Sequence, residues 1–314
     1  MLLSQISSSN RLTRIVLNIL IEYAPLLGLM QFYTHPGNSD NPRKKSAAGG
    51  GKYRSMNADY ADNEVDPAFA SLILAILGDV VQTDQAHERR GFDMASVRAS
   101  DLRAFAEDLA TFIMTELING SGQSESPPAL NGLLGMLPMS DGQAIYASGD
   151  NATAFQVREG SSETAVAAQQ KLKRILHTLI RMIDGGPSAI MVSNDMMAFI
   201  TSVFEASIDR TEDEFGNLIT MFNGVPLMAP GYKASGGDVM PLDENPGSIT
   251  ENTQSILTAK FGEKRDLAAA TNVGLSVTDN GLVGSHMEYN VEMDMQIGRL
   301  NDRSIARASG ILLE

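Results

Sequence analysis

From His286 to Ile297 the chain reads HMEYNVEMDMQI, and hydrophobic and polar positions alternate without a break. Met287, Tyr289, Val291, Met293, Met295 and Ile297 fall on one side of an extended chain, and His286, Glu288, Asn290, Glu292, Asp294 and Gln296 on the other. This predicts a strand with one wet face, roughly 40 Å long at about 3.3 Å per residue, well beyond the ordinary strand. Its apolar side needs an equally long cover. Leu102, Phe105, Leu109, Phe112, Ile113 and Leu117 recur at spacings of three and four between Asp101 and Ile118. They form one stripe of a helix roughly 27 Å long. Ser100 stands where it can cap the first turn, and Gly120 where it can end the last. The pattern predicts a long helix laid along a long amphipathic sheet.

Nearer the N-terminus, IVLNILIEYAPLLGLM over residues 15–30 follows Arg11 and Arg14. Asn18 and Glu22 interrupt the run, Pro25 bends it, and it falls short of the roughly 20 apolar residues of a membrane span. It reads as a partly helical arm that lays Ile15, Ile19, Leu26 and Leu27 against a neighbouring surface, with no membrane partner. LMQFYT then predicts a short strand and FASLILAILGDVVQTD a longer one. Between them HPGNSDNPRKKSAAGGGKYRS is too polar and Gly-rich for a core, and it carries Arg43, Lys44, Lys45, Lys52 and Arg54. Two strand-like runs around such a tip predict a long hairpin projecting from the body. Gly49-Gly50-Gly51-Lys52 is no phosphate loop, because Ser46 and Tyr53 stand where that motif needs Gly and Ser or Thr.

The middle of the chain predicts a compact α+β module. A helix runs from about Glu163 to Ile183, with Val166, Leu172, Ile175, Leu176, Leu179 and Ile183 on one side and Gly185-Gly186-Pro187 as its stop. AIMVS makes a buried strand, and Asn194 or Asp195 caps a helix holding Met196, Phe199, Ile200 and Val203. Two apolar runs around Asn223-Gly224 predict a tight hairpin. After a loop from Gly231 to Thr250, strand patterns return at Ser255 to Phe261, Gly274 to Thr278 and Ile305 to Leu313. The chain leaves the helix-on-sheet unit, builds an inserted module, and comes back.

Composition narrows function more than fold. With 314 residues, 43% hydrophobic and 20% charged, the chain can bury a core of one large or two smaller domains. It has no cysteine, which excludes thiol catalysis, disulfides and cysteine-ligated metals. A formal net charge of -14 argues against a surface that grips nucleic acid through its phosphates, so any relation to DNA is indirect. His35, His87, His177 and His286 lack metal-ligand spacing. Asp209, Glu212, Asp213 and Glu214 lack the order of a calcium loop and read as a solvated acidic turn. No nucleophile elbow and no dinucleotide fingerprint is present. The residues point to no catalytic set, no cofactor and no metal site. A hydrolase with dispersed carboxylates is the enzymatic alternative.

The order of elements resembles the major capsid proteins of tailed bacteriophages. The resemblance rests on the N-terminal arm, the long hairpin, a spine helix ending Asn119-Gly120-Ser121-Gly122, the Gly132-Leu133 segment, and the α+β module with Gly-Gly-Pro before its strand. It rests further on LSVTD and MEYNVEMDMQIGRL, joined by Asp279 to Ser285, and on the closing NDRSIARASGILL. The fold it implies is the α+β Hong Kong 97-type: a spine helix on an elongated antiparallel sheet, an inserted axial domain and a projecting hairpin. The parts implied are an N-arm over 1–29, an E-loop over 30–70, a P-domain over 71–140, an A-domain over 141–249, and P-domain strands over 250–314. The last strand is free to return to the A-domain.

The function implied is structural, a self-assembling subunit whose hexamers and pentamers form the icosahedral head of a virion, built in the host cytoplasm. The partners implied are other copies of itself, a separate scaffold protein, a portal and decoration proteins, with packaged DNA touched only indirectly. An encapsulin-like cellular nanocompartment, loaded with a cargo enzyme, shares the fold and is the alternative shell. By the same resemblance Asp279, Asn280, Gly281, Gly284 and Ser285 would meet their copies around three-fold axes, where glycines permit close backbone approach. A projecting hairpin cannot be ordered by its own core, so Arg43, Lys44, Lys45, Lys52 and Arg54 are expected to seat on an acidic neighbour. The candidate partners are Glu288, Glu292 and Asp294 on the long strand and Glu107, Asp108 and Glu116 on the helix.

Overall fold

Residues His286–Arg299 form one strand of 14 residues, as the alternation requires. The computed structural model describes residues 1–7, 10–45, 53–60, 68–212, 218–233 and 235–313. Helices α1 (Leu3–Ile6), α2 (Arg11–Tyr23) and α3 (Pro25–Leu29) open the chain. Strands β1 (Phe32–Thr34) and β2 (Ser39–Asp40) lead into the hairpin, and β3 (Leu72–Ile73) and β4 (Ala75–Asp84) lead out of it. A single turn α4 (Ala86–Arg89) precedes the spine helix α5 (Met94–Asn119). The inserted module supplies β5 (Ala144–Tyr146), β6 (Phe155–Val157), α6 (Glu163–Met182), β7 (Ala189–Met191) and α7 (Asn194–Val203). It continues with β8 (Ile208–Glu212), β9 (Leu218–Phe222) and β10 (Val225–Met228). Strands β11 (Gln254–Ala259), β12 (Leu267–Thr271), β13 (Leu275–Val283), β14 (the founding strand) and β15 (Ile305–Leu313) complete the chain.

Strand β14 is the seam of the first sheet. It pairs antiparallel with β13 over its first half, with β12 near its end, and with β4 from His286 to Met295. Tyr289, Val291, Met293, Met295 and Ile297 are buried with Leu102, Leu109, Ile113 and Leu117 of α5 in one core. Three details depart from the sequence reading. The helix starts two turns earlier, at Met94, where the Asp93 carboxylate accepts from the Ala95 amide at 3.3 Å, while Ser100 lies inside it. Phe112 is exposed, because the buried arc runs through Ala106, Ala110, Met114 and Ile118 and leaves Phe112 on its outer edge. The wet face of β14 stops at Asp294, and Gln296 is fully buried.

Helix α2 is held on its own chain. Thr13, Val16, Leu17 and Leu20 are buried, the helix packs on α5 and β13, and the Thr13 hydroxyl accepts from the Val277 amide at 3.2 Å. The surface against which the arm was expected to lie is its own chain's core, with Leu26 and Leu27 buried and Ile15 left outside. No helix among the described residues is long and apolar enough to cross a membrane.

The second sheet runs β5-β15-β11-β7-β10-β9-β8, with β6 also paired to β15. Strand β11, expected among the peripheral strands, lies between β7 and β15, so both it and the last strand join the inserted module. Leu172, Ile175, Leu176 and Leu179 of α6 pack with Ile190, Ile256 and Ile311 in a second core. Ser193, one residue ahead of the expected caps, accepts from the Met196 amide at 3.1 Å and starts α7. Asn223 and Gly224, both at positive φ, turn β9 into β10 as expected. Asp209 and Glu212 lie in β8, paired with β9, where an acidic turn was expected; Asp213 and Glu214 lie outside the described residues.

Spine helix and strand are joined at the helix exit. The last carbonyls of a helix need donors. Leu117 and Ile118 receive them from the Leu133 and Leu134 amides at 2.9 and 3.1 Å. For that the returning chain crosses the helix end backbone to backbone, with the Gly132 amide 3.2 Å from the Gly120 carbonyl. A Cβ on Gly120 would lie 2.3 Å from the Leu130 oxygen, and one on Gly132 2.4 Å from the Gly120 nitrogen. This crossing is why Asn-Gly-Ser-Gly and Gly-Leu stand where they do.

Candidate inter-subunit contact surfaces

The hairpin is built on antiparallel pairs between β2 and β3, extended by a bridge between Arg43 and Phe69 and by the Lys44 amide donating to the Ala68 carbonyl at 2.7 Å. Its returning limb is fixed to the body by side-chain amides. Gln123 donates to the Ser71 carbonyl and accepts from the Ile73 amide. Buried Gln296 donates to the carbonyls of Ile73 and Ala129 and accepts from the amides of Asn131 and Ile297, all within 3.0 Å.

Of the five basic residues assigned to the tip, only Arg54 is found there among the described residues. Arg43, Lys44 and Lys45 belong to the stem, and Lys52 lies outside the described residues. Lys45 is already paired within its own chain, its Nζ 2.7 Å from Asp184 Oδ2 at the end of α6. Lys45, seconded by Arg303, holds the Asp184 carboxyl below the usual range. The stem position has a simple cause: the turn of a polar run falls where tertiary contacts let it, and no periodicity marks it. At the tip Tyr53, Met56 and Tyr60 are exposed, Tyr53 and Met56 almost completely. The Arg54 guanidinium lies over the Tyr60 ring at 5.4 Å and donates to the Ala58 carbonyl.

The expected three-fold loop is shorter than the sequence suggests. Strand β13 continues to Val283, with a bulge at Asn280 between the pairs Asp279 with Tyr289 and Gly281 with Glu288. Only Gly284 and Ser285 make the turn, Gly284 at φ +62 with no atom within 4 Å of a built Cβ. Asp279, itself exposed, pairs with Arg98 at 2.7 Å, and the Arg98 guanidinium caps the Tyr289 ring at 4.1 Å. Leu282 and Val283 are exposed beside the turn.

The acidic candidates divide. Glu107 is engaged by Arg103 at 3.0 Å, Asp108 is exposed, and Glu116 is half-buried, its carboxyl pushed up by desolvation. On β14, Glu288 accepts from Gln82 at 2.6 Å. Glu292 is exposed, and Asp294 is pushed up by burial and then by the nearby Glu292. Among the described residues no three His, Asp or Glu side chains gather where they could hold a metal. A cavity of ≈ 430 Å³ lined by Asp141, Gly142, Gln143, Arg299 and Asp302 is dominated by the Arg299–Asp141 ion pair at 2.7 Å.

No protein-family model matches the sequence, and no curated protein does. The backbone, however, is similar to solved shells over nearly its whole length. Against the holo-SrpI encapsulin complex from Synechococcus elongatus PCC 7942 the TM-score is 0.60 at 17% identity, covering 92% of this chain and 87% of that one. Against the capsid of a native GTA particle it is 0.57 at 14% identity, covering 92% and 91%. Against Mycobacterium phage Bobi it is 0.54 at 10% identity, covering 93% and 90%. The fold is the Hong Kong 97-type capsid fold.

Within this capsid fold, two groups that shape the candidate contact surfaces escaped sequence reading. Gln123, Asn131 and Gln296 clamp the hairpin root, and Gln296 was assigned to the wet face because alternation cannot see what covers a strand from outside. Arg98 fixes the bulge of the β13–β14 hairpin, and only the earlier helix start, cued by Asp93, would have brought it into view.

Proposed function

We propose that this chain is a structural, non-enzymatic shell subunit, and that many copies of it close into an icosahedral head around phage DNA. The observation that carries the reading is similarity to shell proteins across more than nine-tenths of the chain. A tip whose Tyr53 and Met56 are almost fully exposed supports it, because large apolar side chains on a surface mark sites where another molecule can bury them. On this reading the partners are hexameric and pentameric rings of itself, a scaffold protein, a portal and decoration proteins, in a virion head assembled in the host cytoplasm. The chain's charge of -14 suits a wall that encloses DNA without adhering to it.

Size-exclusion chromatography and electron microscopy of the expressed protein should reveal closed particles. A monomer or dimer under every assembly condition would refute the reading. A second reading, an encapsulin-like compartment, is favoured by the 0.60 score against the SrpI complex. Particle contents separate the two: nuclease-protected DNA supports a head, a co-purifying cargo protein a compartment.

Replacement of Gly284 by Trp tests the three-fold assignment. A Cβ built there meets no atom within 4 Å, and the left-handed backbone costs about 1 kcal/mol. The subunit should therefore keep its circular dichroism and nearly its melting temperature while particles disappear. Normal particles would remove the turn from the contact.

A further inference from the structure

We propose that Asn280 is a modification site, where the side chain closes on the Gly281 amide and becomes aspartate or isoaspartate, with the Asp279 carboxylate as the base. The proposal concerns the subunit alone and does not need the shell reading. Asn-Gly steps stand at Asn119-Gly120, Asn131-Gly132, Asn223-Gly224 and Asn280-Gly281. Closure at such a step needs an asparagine side chain free to turn, room at the following nitrogen, and a base for its proton. The first three steps are occupied. Asn119 Nδ2 donates to the Val239 carbonyl and the Gly120 amide to the Glu116 carbonyl, both at 2.8 Å. Asn131 donates to the Ile297 carbonyl at 3.0 Å and accepts from the Gln123 amide at 3.1 Å, while the Gly132 amide lies 3.2 Å from the Gly120 carbonyl. Gly120 and Gly132 are also buried. Asn223 lies against His177 at 3.4 Å, both residues of its turn are held at positive φ, and the Phe222–Val225 pair closes the turn around them.

Asn280 differs on every count. It is the extra residue of the β13 bulge, so no residue of β14 is paired with it. It is exposed, and its side chain makes no hydrogen bond among the described residues. A Cβ built on Gly281 meets no atom within 4 Å, so the nitrogen can be approached. The Gly281 amide donates to Asp279 Oδ1 at 2.9 Å. Arg98, 2.7 Å from the same oxygen and stacked over Tyr289, fixes where that carboxylate stands. The base already touches the proton that must leave.

In the reaction the Gly281 nitrogen attacks Asn280 Cγ and forms the new C–N bond. Asp279 takes the N–H proton and passes it to the side-chain nitrogen, whose bond to Cγ breaks as ammonia leaves. The product is a cyclic imide. Water then opens it at one carbonyl to give aspartate, or at the other to give isoaspartate, in which the backbone runs through the former side chain. Either product sets a second carboxylate beside Asp279. Isoaspartate also inserts a methylene into β13 between the pairs Asp279 with Tyr289 and Gly281 with Glu288, and so shifts the strand that leads into the Gly284-Ser285 turn.

The unaltered protein, held in mildly alkaline buffer and sampled over time, tests the site by peptide mass spectrometry and by methylation with an isoaspartate methyltransferase. Asn280 should convert at least about tenfold faster than the other three asparagines, which must wait for local opening before they can close. In urea the four rates should converge. Asn280→Gln should remove most of the methylation signal, because glutamine closes a larger and slower ring. Asp279→Ala should slow conversion of Asn280 several-fold and make its rate climb more steeply with pH, since hydroxide then has to do the work of the carboxylate. Circular dichroism checks that both variants are folded. Conversion of Asn280 no faster than that of the other three, or a methylation signal that survives Asn280→Gln, overturns the site. An Asp279→Ala protein with the unaltered rate and pH slope overturns the role of the base.

Discussion

Gly132→Ala is expected to cost the subunit about 3 to 5 kcal/mol, a large share of the 5 to 15 that a domain has. The added methyl would lie 2.4 Å from the Gly120 nitrogen, 2.7 Å from its oxygen and 2.8 Å from the Asn119 carbonyl carbon. All three are backbone atoms, so no side chain can swing aside. Relief requires the segment over residues 130–134 to move off the helix end. That withdraws the Leu133 and Leu134 amides from the carbonyls of Leu117 and Ile118 and strains the amide clamp at Asn131. Gly135→Ala is the control, since its Cβ would find nothing nearer than the Gly132 oxygen at 3.5 Å. Thermal denaturation of the two variants should separate them widely. A Gly132→Ala protein melting with Gly135→Ala would show that the crossing is loose.

Gln296→Leu is expected to be nearly as damaging, by about 3 kcal/mol or more, although the two side chains have similar volume. The amide sits in a fully buried position and satisfies the Asn131 amide and the carbonyls of Ile73 and Ala129. Leucine leaves those backbone groups without that partner, at about 1 to 3 kcal/mol for each buried group left unpaired, partly offset by the apolar side chain. The damage should have an address. Ile73 stands at the base of the hairpin's return limb, so cleavage by a protease within the hairpin should accelerate before the rest of the chain becomes susceptible. A variant equal to wild type in both melting and cleavage would show that the clamp contributes nothing.

Both predictions concern residues that were visible in the sequence with an incomplete meaning. Gly120 and Gly132 were legible as a helix end and a Gly-Leu segment, but that they touch each other is a fact about two stretches meeting in space. Gln296 was legible as one more polar position in a strict alternation, and the alternation is correct as geometry: its side chain does point to the outer face. The chain over residues 129–131 covers that part of the face, and so an expected wet position is dry. The basic cluster shows the same limit. Arg43, Lys44 and Lys45 sit next to each other in a polar run whose turn carries no periodic signal, and Lys45 was diverted to Asp184, which lies 139 residues away in sequence.

By itself the sequence determined the long strand, the spine helix and the hairpin around Asn223-Gly224, while the capsid fold came from the resemblance that the order of these elements carries. Those features follow from periods of two and 3.6 and from glycine at turns, which are local properties of the chain. Only the tertiary structure decided that α2 covers its own core, that β11 and β15 belong to the second sheet, and which charges are already paired. Burial and ion pairing are set by whatever arrives through space on the far side of a residue, and a one-dimensional pattern records only the near side.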